Sequence, residues 1–134
     1  MTINQTEQPS ILVVDDELLI RDLLYDFFKQ QGWTISVAEN GERALEILRA
    51  RKIDLVLTDI KMPQIDGLTL TSQVRAKFPD MPVVLMTGYP SVETAVEGIR
   101  AKVSDYIIKP FNINKLFKTL KSQLDDSNSS ADEE

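Results

Sequence analysis

Apolar residues fall along this chain in five short runs, and a helix-period pattern follows each of them. The runs cover residues 11–14, 34–37, 55–58, 82–86 and 106–108. Three contain unbroken apolar stretches ("ILVV", "LVL", "VVLM"), as parallel strands covered on both faces require. The second, "TISV", alternates and carries Thr and Ser, which predicts a less buried edge strand.

The helical patterns between the runs are equally regular. The first has Leu19, Leu23, Leu24, Phe27 and Phe28 at helical spacing, with Gly32 where a left-handed terminal residue is wanted. The second begins near Asn40 and shows Ala44, Leu45 and Leu48. The third takes Asp66 as its N-cap, continues through Leu70, Val74 and Phe78, and stops at Pro79. The fourth follows Pro90 with Val92, Ala95, Val96 and Ile99. Gly98 inside it, beside the poor helix formers Val92, Thr94 and Val96, predicts a marginal, lightly anchored helix. The fifth is capped by Asn112 and turns Leu116, Phe117, Leu120 and Leu124 inward. Five strand–helix units in succession predict an open α/β sheet with right-handed crossovers. Ligands of such sheets bind beyond the carboxyl ends of the strands.

Those ends carry the chemistry. The first strand runs into Asp15 and Asp16, the third into Asp59, the fourth into Thr87 and the fifth into Lys109. If the first and third strands lie side by side, three carboxylates crowd one cleft and need a counter-ion. A hard divalent cation such as Mg²⁺ meets that need. Carboxylate, cation, lysine and hydroxyl around one point are the parts of a phosphoryl-transfer site, with Asp59 as the nucleophile.

The acidic pair Asp15-Asp16, the segment "DIKMPQIDG" from Asp59 to Gly67, "MTG" after the fourth strand and "DYIIKPF" in the fifth stand together in this order. In them the chain resembles the CheY-like receiver domains of two-component response regulators, over residues 10–124. The resemblance implies a flavodoxin-like, doubly wound parallel sheet in strand order 2-1-3-4-5. It implies that Asp59 accepts phosphate from the phosphohistidine of a sensor histidine kinase or histidine phosphotransfer protein. Asp15, Asp16, Asp59 and the Lys61 backbone carbonyl would surround Mg²⁺, and Thr87 and Tyr106 would be the switch pair. The Lys109–Pro110 bond would be cis. The face formed by the fourth helix, fifth strand and fifth helix would control a downstream protein or a C-terminal effector domain. One departure is Lys102-Val103 in the turn before the fifth strand, where the family usually has Gly-Ala.

Composition narrows the rest. A chain of 134 residues suits one domain. Cys 0 and His 0 exclude thiolate chemistry, imidazole ligands and imidazole acid–base catalysis. Five of the 21 acids lie in the last ten residues, which hold no Lys or Arg, so the remainder is close to neutral and has no basic excess for nucleic acid. The expected organisation is a flexible start over residues 1–9, a receiver domain over 10–124 and a disordered acidic tail or linker over 125–134. No apolar run is long enough for a membrane, and the N-terminus lacks a signal core, so a cytoplasmic protein is expected. Two rivals remain: an aspartate-nucleophile phosphatase, against which stands the absence of D-x-D after the first strand, and an interaction module that keeps the fold without the chemistry. A phosphoacceptor rather than an enzyme acting on an outside substrate is the expectation.

Overall fold

The computed structural model describes residues 8–132, with side chains described through Asp125; residues 1–7 of the expected flexible start lie outside the described residues. Five strands and five helices alternate: β1 (Ser10–Val14), α1 (Leu18–Gln30), β2 (Thr34–Ala38), α2 (Gly41–Ala50), β3 (Leu55–Asp59), α3 (Gly67–Lys77), β4 (Val83–Thr87), α4 (Val92–Arg100), β5 (Asp105–Ile108) and α5 (Ile113–Asp132). All strand pairs are parallel and the order is β2-β1-β3-β4-β5. This is the flavodoxin-like order that the resemblance implies.

The period of two along each strand divides the core between the two faces. Ile11, Val13, Leu55, Leu57, Val84 and Met86 meet Leu24 and Phe28 of α1 and Leu116 and Leu120 of α5. Leu12, Val14, Val56 and Val83 meet Ala44, Ile47 and Leu48 of α2 and Leu70 and Val74 of α3. β1, β3 and β4 are buried on both faces, which is why their sequences read as unbroken apolar runs, whereas β2 lies at an edge and is partly exposed.

Helix ends follow their local chemistry. Asn40, Asp66 and Asn112 accept the backbone N–H groups of Arg43, Thr69 and Lys115. Gly32, at φ 84°, closes α1, with its own N–H on Lys29 O and that of Trp33 on Phe28 O. α4 ends the same way without glycine. Lys102 takes φ 62°, its N–H reaches Ile99 O and that of Val103 reaches Gly98 O.

The apolar stripes of two helices are rotated from the sequence expectation. In α1, Ile20, Leu24, Phe27 and Phe28 face the core, while Leu19 is 81% and Leu23 49% exposed. Seven apolar residues in this helix offer two overlapping stripes, and the aromatic cluster of Phe27, Phe28, Trp33 and Phe117 selects one. In α4, Val92 (82%) and Ile99 (75%) point outward, and Gly98 is the buried residue. A Cβ on Gly98 would lie 3.3 Å from Val103 and 3.5 Å from Leu85, so the missing side chain sets how closely α4 approaches the sheet. The backbone of α5 runs past Leu124, where the sequence reading ends the folded unit, through Asp132. An established helix adds residues at little cost, since only nucleation is unfavourable. Among the described residues no helix is long and apolar enough to cross a membrane.

Candidate functional site

β1 is the strand from which the chain turns to either side, and the cleft at its carboxyl end is where an open parallel sheet holds its ligand. Pairing of Val14 with Thr58 brings Asp15 and Asp59 alongside each other. Both are buried, and Asp16 at the rim is exposed. Oxygens from Asp15, Asp16 and Asp59 lie within 4.8 Å of one another. From β4 comes Thr87, also buried, and from the residue after β5 comes Lys109, whose N–H bonds Thr87 O at 2.7 Å. The Lys109–Pro110 bond is cis, as the resemblance implies.

The Lys109 ammonium is the countercharge of this cluster. It lies 2.7 Å from Asp15 Oδ2, 3.2 Å from Glu17 Oε1 and 3.5 Å from Asp59 Oδ2. Its tightest partner is therefore Asp15, and Asp59 keeps a looser contact. Burial pulls the Lys109 pKa down, but the facing carboxylates, Asp15 foremost, outweigh it and hold the group above its ordinary value. Burial raises Asp15 despite its bonds from Lys109 and the Glu17 N–H. Asp59 is pushed up to about 6, first by burial and then by the neighbouring charge of Asp15. An acid held near neutrality in a polar cleft is a functional-site signature. Three hard oxygen donors under mutual repulsion also form a donor set that suits a small divalent cation.

Against known proteins, the family model for the response regulator receiver domain matches residues 11–121. The chain belongs to the response regulator receiver family. It is 41% identical over 118 residues to the transcriptional regulatory protein ZraR of Klebsiella oxytoca, covering 88% of this chain and 27% of that one. The chain thus spans about a quarter of the length of the curated relatives it matches. A CheY-like receiver protein of Methanospirillum hungatei superposes with TM-score 0.89 at 29% identity, over 92% of this chain and 99% of that one. The response regulator TrrA of Thermotoga maritima, solved in complex with Mg²⁺-BeF, superposes with TM-score 0.79 at 37% identity, over 87% and 99%.

Within this receiver domain the remaining sequence-predicted residues are dispersed around the cleft. Thr87 Oγ1 accepts the Tyr89 N–H at 3.0 Å. Lys61 is exposed beyond β3, its ammonium 5.4 Å from the centre of the Tyr89 ring. Tyr106 is half-buried and its hydroxyl meets Thr94 Oγ1 at 2.7 Å. Two residues that sequence reasoning gave no role also shape the site, and a third lies outside the cleft, against Tyr106. Glu17 shares Lys109, and its signal was a third consecutive acid after β1. A Cβ on Gly67 would run into the Asp59 carbonyl oxygen, and the Gly67 N–H bonds Ile60 O at 2.8 Å. Its signal was a glycine at a first helical position, where almost any other residue propagates a helix better. Thr94 is the third, legible only as the end of a Ser91-x-x-Thr94 spacing.

Proposed function

We propose that Asp59 is the phosphoacceptor of a two-component or phosphorelay system, charged by the phosphohistidine of a sensor histidine kinase or a histidine phosphotransfer protein. In the transfer an Asp59 carboxylate oxygen bonds phosphorus as the phosphorus–nitrogen bond of the donor breaks, and the electron pair leaves on the imidazole nitrogen. Asp15, Asp16 and Asp59, with the Lys61 backbone carbonyl, would hold Mg²⁺, which when bound supplies charge neutralisation at the transferring phosphoryl group. Lys109 exchanges its contact with Asp59 for a phosphoryl oxygen, and the Thr87 hydroxyl donates to another. Tyr106 then changes place, and the α4–β5–α5 face passes the change to a downstream protein or to a C-terminal effector region of the kind the longer relatives leave room for. The chain assists its own phosphoryl transfer and does not turn over an outside substrate. A cytoplasmic site of action follows from such a donor.

The observation that carries this reading is the placement of Asp59. It is buried at a sheet end, raised to about 6, and faced by Lys109 at 3.5 Å and by two further acids. The test is labelling by acetyl phosphate followed by intact-protein mass spectrometry. One phosphoryl group is expected in the presence of Mg²⁺, none with a chelator and none in Asp59→Asn. Labelling of Asp59→Asn at the wild-type level overturns the assignment.

A further inference from the structure

α4 is attached to the molecule in an unusual way. Its apolar residues Val92 and Ile99 face outward, its buried position is a glycine, and it is only 9 residues long. Short helices of this kind draw their stability from ends and packing rather than from propensity. At the N-terminal end Ser91 Oγ accepts the Thr94 N–H at 3.1 Å and the Ser91 N–H reaches Thr94 Oγ1 at 3.3 Å, a reciprocal capping box.

The Thr94 hydroxyl is also the partner of Tyr106. It has one proton to give and two lone pairs to fill. It takes the Ser91 N–H at 3.3 Å, lies 3.1 Å from both Ser91 O and Ser91 Oγ, and meets the Tyr106 hydroxyl at 2.7 Å. Four polar neighbours thus share its three bonding capacities, and the Tyr106 hydroxyl is the nearest of them. A single side-chain oxygen thus closes the α4 cap and holds the aromatic ring on the neighbouring strand. Thr87, whose hydroxyl takes the Tyr89 N–H, anchors the other end of the same short turn.

We propose that Thr94 is the positioning residue that converts the state of the Asp59 site into the stability of α4. While Tyr106 is bonded to it, the cap is complete and the helix is held; when Tyr106 leaves, the hydroxyl loses its shortest bond and the first turn of α4 loosens. This rests on the reading of Tyr106 as the switch aromatic and adds the residue through which it acts.

The test is hydrogen exchange at α4 in the full chain, with and without Mg²⁺ and beryllofluoride, alongside acetyl phosphate labelling of Asp59. In wild type the mimic is expected to speed α4 exchange about fivefold, the scale set by one helix cap. Thr94→Val, isosteric but without the hydroxyl, is expected to start at the fast rate, to change less than twofold on adding the mimic, and to label normally. Ser91→Ala damages the cap but leaves Tyr106 on Thr94, so its α4 starts faster and still responds. Thr94→Ser, which keeps the hydroxyl, restores the wild-type response. Thr94→Val combined with Tyr106→Phe should be no faster than Thr94→Val alone, because the two remove one shared bond. If Thr94→Val labels normally and retains the full response, or Ser91→Ala loses its response as Thr94→Val does, Thr94 is only a cap and the inference falls. If wild type is not labelled, the phosphoacceptor reading falls instead.

Discussion

Asp59 occupies a position where a carboxylate is held at a cost to the folded state. Its pKa, raised from 3.8 to about 6, means that the folded chain binds this proton more tightly than the unfolded chain does. Between those values the folded state therefore carries more protons, and stability falls as pH rises through the interval, flattening above it. About two units, with the opposing pull of Lys109 already included, correspond to roughly 3 kcal/mol at 1.36 kcal/mol per unit, an upper figure because solvent at the mouth of the cleft screens the charges. Asp59→Asn in metal-free buffer is accordingly expected to stabilise the domain by about 1–3 kcal/mol at neutral pH. It should also flatten the slope of melting temperature between about pH 4 and 6. A melting temperature below that of wild type at pH 7 contradicts this account. The acids and Lys109 were legible because strand ends are readable and their polar residues few. Glu17 and Thr94 were not, since their roles depend on which side chain of a distant element arrives opposite them.

At the scale of elements, packing overrode local pattern in the two helices where the pattern was ambiguous or weak. α1 had two apolar stripes to choose from and the aromatic cluster chose. α4 had one, and it lies outside, because Gly98 rather than a valine row meets Leu85 and Val103. The strands, the caps at Asp66 and Asn112 and the helix start near Asn40 agreed with the sequence, since continuous burial and N-cap chemistry are local properties. Lys102 stands in the left-handed region, at φ 62°, where a side chain bearing a Cβ is strained. What holds it is visible: the terminal bonds of α4, and the Arg75 guanidinium, which donates to Lys102 O at 2.8 Å and also to Met81 O. These partners bond the backbone, so the residue at 102 is free to change. Lys102→Gly removes the Cβ penalty and is expected to stabilise by about 0.5–1 kcal/mol, offset in part by greater freedom of the unfolded chain. A rise of a few degrees in melting temperature is the predicted result. A fall would show that the Lys102 side chain contributes more than its backbone strain costs.

Across the whole molecule the two faces of the sheet are anchored unequally. One face is fastened by Phe27, Phe28, Trp33 and Phe117, whose rings lie 5.0 to 5.9 Å apart and join α1 to α5. The other carries α2 and α3 on branched and leucine side chains and ends in the lightly held α4. Elements that move are drawn from the weakly anchored part of a structure, so α4 is expected to yield before the aromatic face does. The same asymmetry bears on the C-terminal segment. Leu116 and Leu120 are buried and Leu124 packs beside them, so the inward face of α5 is complete by Leu124. The ten residues that follow, "DDSNSSADEE", offer one alanine and no larger apolar side chain. Ser, Asn and Asp are also poor helix interiors, so what the continued helix gains in backbone bonds is small. Truncation after Leu124 is therefore expected to leave the melting temperature within about 2 °C of the full chain, well under the shift produced by losing 1 kcal/mol in a domain of this size. A larger drop would mean that the segment docks on the domain and that the folded unit extends beyond the aromatic face.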